Sequence, residues 1–194
     1  MTEKEKMLRG MLYDADDSTL CADRVRAKEL CHAYNQLRPS DAAGMRELLR
    51  RLLGKTGETF CVTAPFWCDY GYNIRLGEYF YANHNLVILD CAAVTFGEHV
   101  FVAPNCGFYT AGHPIDAECR ERGLEYAYPI TVGDHVWIGG GVQVMPGVTI
   151  GSNVVIGGGS VVVKDIPSDS VAVGNPCRVI RPITEADKQT CWDR

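Results

Sequence analysis

The sequence predicts a mainly β fold: a parallel β-helix of hexapeptide repeats with an N-terminal α-helical cap and one protruding loop. Three observations predict it. The first is a period of six. In "VGDHVWIGGGVQVMPGVTIGSNVVIGGGSVVVKDIP" an aliphatic residue recurs at Val132, Ile138, Val144, Ile150, Ile156 and Val162. Val136, Val142, Val148, Val154, Ser160 and Ile166 follow four positions after each. An earlier set, Leu76, Ala82, Ile88, Phe96, Val102 and Phe108, obeys the same rule except for an eight-residue step from Ile88 to Phe96. The second observation is the glycine after many of these residues: Gly77, Gly97, Gly133, Gly139, Gly151 and Gly157. The third is a change of texture near residue 57, where helical spacing gives way to glycine and β-branched residues.

A period of six matches neither the 3.6 of a helix nor the 2 of a single strand. It matches a short strand followed by a corner, with one side chain per strand pointing inward. Three such strands close a triangular coil, so about eighteen residues make one rung. Stacked rungs pair their strands in parallel and bury the aliphatic columns. At the glycines the expectation is a tight turn that favours a missing Cβ. A β-sandwich has no fixed register of this kind.

Residues 1–56 read as the helical segment. "DRVRAKELCHAYNQL" carries Val25, Leu30, Ala33 and Leu37 at roughly helical spacing, and Pro39 ends the run. "PSDAAGMRELLRRLLG" offers Ser40 or Asp41 as an N-cap and closes on Gly54. Residues 57–181 read as the β-helix, with a loop inserted at 111–130, and 182–194 as a C-terminal tail. The loop lies in "TAGHPIDAECRERGLEYAYPI", Thr110 to Ile130, which breaks the rhythm with charges, two prolines and one histidine, His113.

Bulk properties narrow the function. A net charge of -5 over 194 residues disfavours a general nucleic-acid binder. No apolar run is long enough to span a bilayer, and "MTEKEKMLRG" lacks the apolar core of a signal peptide. The nine cysteines are scattered, without a CxxC pair. They are expected as reduced thiols in a cytoplasmic protein. No membrane or nucleic-acid partner is expected.

Beyond the periodicity, "DYGYNIRLGEYFYANHN", "TAGHPIDAECRERGLEYAYPITVGDHVWIGGGVQVMPGVTIG" and "VVVKDIPSDSVAVGNPCRVIR" resemble the maltose and galactoside O-acetyltransferases of bacteria. The resemblance covers nearly the whole chain. It implies a left-handed parallel β-helix, a handedness that the period does not supply and that runs against the usual crossover preference. It also implies a homotrimer with active sites between subunits. The implied reaction moves an acetyl group from acetyl-CoA, a co-substrate, to a sugar hydroxyl, usually the 6-hydroxyl, with no metal required.

The resemblance assigns roles to residues whose chemistry suits them. His113, in "TAGHP", matches the family's catalytic histidine. A neutral imidazole, with a reference pKa of about 6.5, can accept a hydroxyl proton as that oxygen attacks the thioester. Asn83, in "YANHN", matches an asparagine beside the acceptor oxygen, and a backbone N–H near Gly140 would be a second donor to the oxyanion. Asp14, Asp69 and Tyr81 match positions that contact the acceptor, and Arg24 does so more weakly. Asp69, Cys91 and Glu125 stand where the galactoside enzyme has serine, aspartate and methionine. These departures favour the maltose-type branch, and Glu125 is expected either to contact the sugar or to orient His113. For the coenzyme, Trp137 would pack against the pantetheine arm, Gly158 and Val163 would lend backbone groups, and Lys164, Arg178 and Arg181 would meet phosphates and adenine. No cysteine falls at an acyl-carrying position, so direct attack is expected.

Three other readings stay open at this stage. The first is a related acyltransferase whose acceptor is an oligosaccharide, galactoside, antibiotic or serine hydroxyl instead. A γ-type carbonic anhydrase shares the fold, and the chain has His84, His99, His113 and His135, but their spacing differs from that family's zinc pattern. A non-catalytic β-helix that only binds or assembles would not need His113, Asn83 and the basic cluster together.

Overall fold

The computed structural model describes residues 1–189. The end of the expected tail, with Cys191, lies outside the described residues. Three helices lead the chain. α1 (Glu3–Leu8) begins at a capping box in which Thr2 and Glu5 satisfy each other's backbone N–H groups. α2 (Ser18–Asn35) starts where the Asp17 carboxylate accepts from Thr19 and Leu20 N–H. α3 (Ala42–Leu52) is capped by Asp41 rather than Ser40. None of these helices is long and apolar enough to cross a membrane.

The face of α2 that packs inward takes in only part of its apolar run. Leu20, Ala27, Cys31 and Tyr34 are buried, while Val25 and Ala33 are exposed. Cysteine and tyrosine carry the stripe, so counting aliphatic residues rotates the face. Tyr34 is tolerated inside because its hydroxyl donates to the Val62 carbonyl of the first coil.

From Phe60 the chain winds into a left-handed parallel β-helix of about six turns. Its first face stacks Phe60–Val62, Phe80–Ala82, Phe101–Val102, Trp137–Ile138, Val154–Ile156 and Ser170–Val173 in parallel. Arg178–Pro182 closes this face with one antiparallel strand. The second face stacks Phe66–Cys68, Leu86–Leu89, Gly107–Tyr109, Gln143–Val144 and Val161–Val162. The third stacks Ile74–Arg75, Val94–Phe96, Ile130–Val132 and Thr149–Ile150. All twelve residues named by the six-residue rule are buried, and eleven of them, all but Leu76, meet their counterparts in register. Ala82, Val102, Ile138 and Ile156 form one column, Ile88, Phe108, Val144 and Val162 a second, and Phe96, Val132 and Ile150 part of a third. Each such aliphatic side chain contributes roughly 1.5–3 kcal/mol through burial.

A coil precedes those the period revealed. Val62 pairs with Ala82 and Cys68 with Ile88. The step from Cys68 to Leu76 is eight, like that from Ile88 to Phe96. Both extra pairs of residues fall at the corner between the second and third faces. At the next turn the same corner holds the long insertion, after which Ile130–Val132 resumes register with Val94–Phe96. Three coils thus widen at one corner.

The insertion is itself structured. Ala111–Gly112 and Leu124–Ala127 form an antiparallel pair joined through a short helix, α4 (Ala117–Glu121). Tyr13–Asp14 from the N-terminal segment adds a third antiparallel strand, Tyr13 opposite Glu125. The sequence suggested an irregular loop because the partner strand lies more than a hundred residues away.

The repeat glycines serve close stacking rather than a turn. Positive φ belongs instead to Tyr79, His99, His135 and Asn153, two residues further on, and to Asp169, two residues after Pro167. A Cβ on Gly77 would lie 2.3 Å from the Gly97 carbonyl oxygen, and one on Gly97 would lie 2.7 Å from the Gly133 carbonyl carbon. Successive coils touch backbone to backbone at this corner. Beside the glycines the Tyr79, His99 and His135 rings stack at 4.6 and 5.1 Å.

Gly97→Ala is therefore expected to destabilise the chain by roughly 1–3 kcal/mol through overpacking. The outward-facing Thr95→Ala should change stability by less than about 0.5 kcal/mol. Denaturant midpoints of the two variants check this.

Candidate active site

The widened corner between the second and third faces gathers most of the chemistry-bearing side chains. Its floor is Asp90, fully buried after the second-face strand Leu86–Leu89. The Asp90 carboxylate accepts from Tyr70 N–H at 2.8 Å and Asn73 N–H at 3.2 Å, which folds the "DYGYN" insertion over it. Burial raises its pKa to about 6, opposed by N–H bonds from Tyr70, Gly71 and Asn73 that favour the ionised form. Thr110 is buried above it, linking Ala92 N–H to the Leu89 carbonyl.

Asp69 and Cys91 lie side by side on this floor, with the thiol 3.6 Å from the carboxylate. Burial pushes the Asp69 carboxyl above its ordinary range, and the Glu125 charge adds to that effect. Burial and then the Asp69 charge push the Cys91 thiol up as well, so it stays a neutral donor. Arg24, from α2, donates to the Tyr70 hydroxyl at 2.8 Å and to the Ala15 carbonyl at 2.7 Å. It ties the cap to the insertion and also lends its positive charge to Asp69.

The hairpin stands over this floor. His113 follows Gly112 directly and is exposed. Its Nε2 lies 3.8 Å from Glu125 Oε1, and the other Glu125 oxygen accepts from the Tyr13 hydroxyl at 2.6 Å. Asp14, the next residue of the Tyr13 strand, is exposed and uses one carboxylate oxygen to accept from Asp16 N–H. So Asp14, Arg24, Asp69, Glu125 and His113 share one corner of the fold. Val163 and Lys164 follow the second-face strand Val161–Val162 at the same corner, two coils beyond the insertion, and both are exposed.

A second group lies elsewhere on the same chain. Tyr81 and Trp137 occupy one outward column of the first face, with Phe101 between them and Val155, Val171 and Arg181 beyond. Trp137 and Phe101 are about half exposed. Asn83 and Gly140 sit at the corner between the first and second faces, and Gly158 stacks on Gly140, its Cβ position 3.1 Å from the Gly140 carbonyl oxygen. Asn83 Oδ1 accepts from His84 N–H at 2.8 Å, which leaves the amide Nδ2 as its outward donor. At Gly140 a Cβ would have one neighbour, the Pro104 carbonyl oxygen at 3.5 Å, so the backbone borders open space. Arg178 donates to its neighbour Cys177's carbonyl, and Arg181 forms a two-pronged pair with Asp187 at 2.8 Å for each bond. The Arg181 bonds hold the Asp187 carboxyl down to about 2.

The second face, roughly 15 Å of strand and corner, separates the two groups within one chain. Sequence reasoning named residues of both groups but not this split. It also missed Tyr13, Tyr70 and Asp90, which build the floor and brace the hairpin. Periodicity carries no signal for them, since all three stand outside the repeat. Among the described residues, no group of three His, Cys, Asp or Glu side chains is placed to hold a metal ion.

Comparison with known proteins places this arrangement. Residues 6–57 match the maltose acetyltransferase hexapeptide capping motif, and residues 129–164 match the bacterial transferase hexapeptide of six repeats. The chain is 56% identical over 187 residues to a putative acetyltransferase of Saccharomyces cerevisiae, covering 96% of this chain and 95% of that one. It superposes on a maltose O-acetyltransferase from Clostridium difficile with a TM-score of 0.94 and 51% identity, covering 95% of this chain and 99% of the other. A galactoside acetyltransferase in complex with coenzyme A gives a TM-score of 0.94 and 44% identity, covering 97% and 94%. A hexapeptide-repeat acetyltransferase from Vibrio cholerae, complexed with acetyl coenzyme A, gives 0.88 and 39%, covering 95% and 100%.

The floor carboxylate predicts a pH signature. Asp90 has a folded value near 6 against 3.8 in the unfolded chain. The folded state therefore holds more protons between these values, and the stability from the protonated form is lost as pH rises through about 6. The wild-type chain should gain stability relative to Asp90→Ala as pH falls from 7 to 4. Denaturant unfolding of both proteins at each pH measures the difference.

Proposed function

Because the chain belongs to the maltose and galactoside O-acetyltransferase family of hexapeptide-repeat enzymes, we propose that it transfers an acetyl group from acetyl-CoA to the 6-hydroxyl of a glucose unit, as in maltose or glucose. The observation that carries this reading is the hairpin corner. There His113 is held beside Glu125 and above Asp69, clamped by the Tyr13–Asp14 strand. Such a corner offers an imidazole to a hydroxyl and carboxylates to the remaining hydroxyls of a sugar ring.

The sugar hydroxyl oxygen attacks the thioester carbonyl carbon while the His113 imidazole takes its proton. The carbonyl oxygen becomes an oxyanion, stabilised by the Asn83 amide and the Gly140 backbone N–H. Collapse breaks the carbon–sulfur bond. The imidazolium then returns its proton to the departing thiolate, giving free coenzyme A and the sugar ester. No side chain is acetylated. Asp14, Asp69 and Glu125 accept hydrogen bonds from the acceptor, Tyr81 packs against it, and Arg24 holds the floor on which it rests. Trp137, Gly158, Val163, Lys164, Arg178 and Arg181 bind the coenzyme, Arg181 by exchanging its Asp187 partner for phosphate.

The separation of the two groups on one chain supports a homotrimer in which the hairpin corner of one subunit meets the first face of its neighbour. The outward column of Tyr81, Phe101 and Trp137 suits such a face, since aromatic side chains prefer a partner to water. Asp69 and Glu125 support a gluco-configured acceptor over a galactoside, because both differ from the galactoside enzyme at the acceptor wall.

His113→Ala should lower acetyl transfer by about 10²–10⁴-fold while assembly persists. The check is free-thiol release from acetyl-CoA against maltose, glucose, a galactoside and chitin oligomers, with sedimentation to follow the assembly. Near-normal turnover in the variant would remove His113 as the base. Turnover confined to the galactoside would overturn the assigned acceptor.

A further inference from the structure

Tyr13 lies outside the repeat and outside every residue assigned above, yet it is buried at the point where three parts of the site meet. It is 1% exposed. Its strand pairs antiparallel with Leu124–Ala127, Tyr13 directly opposite Glu125. Its hydroxyl donates to Glu125 Oε2 at 2.6 Å, while Glu125 Oε1 lies 3.8 Å from His113 Nε2. A carboxylate on an open hairpin has several rotamers. This one is held by a charge-assisted bond from a phenol that has no freedom to leave. Burial, with the nearby Cys91 and Glu125, pushes the phenol well above its ordinary range, so it remains a donor.

We propose that Tyr13 is a positioning residue: its phenol fixes Glu125 so that the free carboxylate oxygen faces the His113 imidazole and stabilises its protonated form. The inference rests on the reading of His113 as the base, and gives Glu125 an electrostatic role distinct from sugar contact. The carboxylate favours the imidazolium formed when the acceptor hydroxyl gives up its proton. The other groups facing Glu125 are Asp69 and Cys91 on the floor and Tyr13 itself. Arg24 and Lys28 act on Asp69, and Asp14 lies on the strand beside Tyr13. The floor groups bear on Glu125 in every variant below and are left unaltered.

The test follows the His113 imidazole by NMR in the full chain, its signals identified by their loss in His113→Ala. Glu125→Gln removes the charge and should lower the measured titration midpoint of His113. Tyr13→Phe keeps the ring and removes the donor. It should move the midpoint the same way by less, because the released carboxylate spends part of its time elsewhere. In Glu125→Gln, adding Tyr13→Phe should move it no further, since Tyr13 acts through Glu125 alone. With acetyl-CoA and maltose, Tyr13→Phe should lower kcat about 10-fold and leave the KM for acetyl-CoA unchanged.

An unmoved midpoint in Glu125→Gln, an upward move in Tyr13→Phe, or a Tyr13→Phe shift that adds in full to Glu125→Gln would each overturn the proposal. The double variant separates positioning from a merely structural role, which would persist in both backgrounds. The base assignment fails separately, by near-normal turnover in His113→Ala, and that result leaves the NMR coupling readable.

Discussion

Each coil of this chain can bury its inward side chains only against the coils above and below. A single six-residue repeat has two inward residues, such as Val136 and Ile138, and no sheet partner of its own. Stability therefore comes from register: Ala82 on Val102 on Ile138 on Ile156, and the matching columns on the other two faces. A slip of one residue would turn every column outward. The same requirement explains the glycines at the corner between the third and first faces, where backbones touch and a Cβ has no room. It also explains why Tyr79, His99, His135, Asn153 and Asp169 accept positive φ in vertical alignment. The corner geometry is set by the stack, and a side chain that fits it once fits it at every level.

Strict register leaves the chain one place to vary. Extra residues disturb nothing if they leave and return at the same corner, and here they accumulate at the corner between the second and third faces. The first two coils spend two residues each, enough to seat Asp69 and to bury Asp90 beneath a fold of backbone. The third spends a whole hairpin. Its strands would have unpaired edges in isolation, and Tyr13–Asp14 covers one of them. The helical segment is thus a cap for the open end of the coil and also a brace for the hairpin. Arg24, bonded to Tyr70 and Ala15, ties the helical segment to the corner of the first coil.

This division of labour gives the hairpin corner its electrostatic character. A coil of backbone and aliphatic columns supplies a rigid, low-polarity base. Against that base, Asp69 and Cys91 are desolvated and hold protons more readily than in water, while Glu125 is bonded on one oxygen and open on the other. The first face, by contrast, carries flat aromatic side chains and glycine corners, features that suit a long thin ligand or a neighbouring subunit better than a polar ring. The second face keeps the two surfaces apart within one chain.

The amino-acid sequence by itself determined the period, and with it the twelve buried columnar residues, the coil, and the place where it breaks. That information is local: each repeat announces its inward residue four to six positions from the next. Contiguous motifs also marked His113, Asn83 and the carboxylates as candidates, through their resemblance to a known family. The buried face of α2 is not legible in its aliphatic spacing, because Cys31 and Tyr34 bury themselves through tertiary partners, Cys68 and the Val62 carbonyl. The hairpin, the bond from Tyr13 to Glu125 and the floor around Asp90 were decided by tertiary structure alone. Each joins residues separated by 14 to 112 positions, and no periodic signal spans such a gap. The split of the candidate site across two corners likewise follows only from winding the chain three strands to a turn.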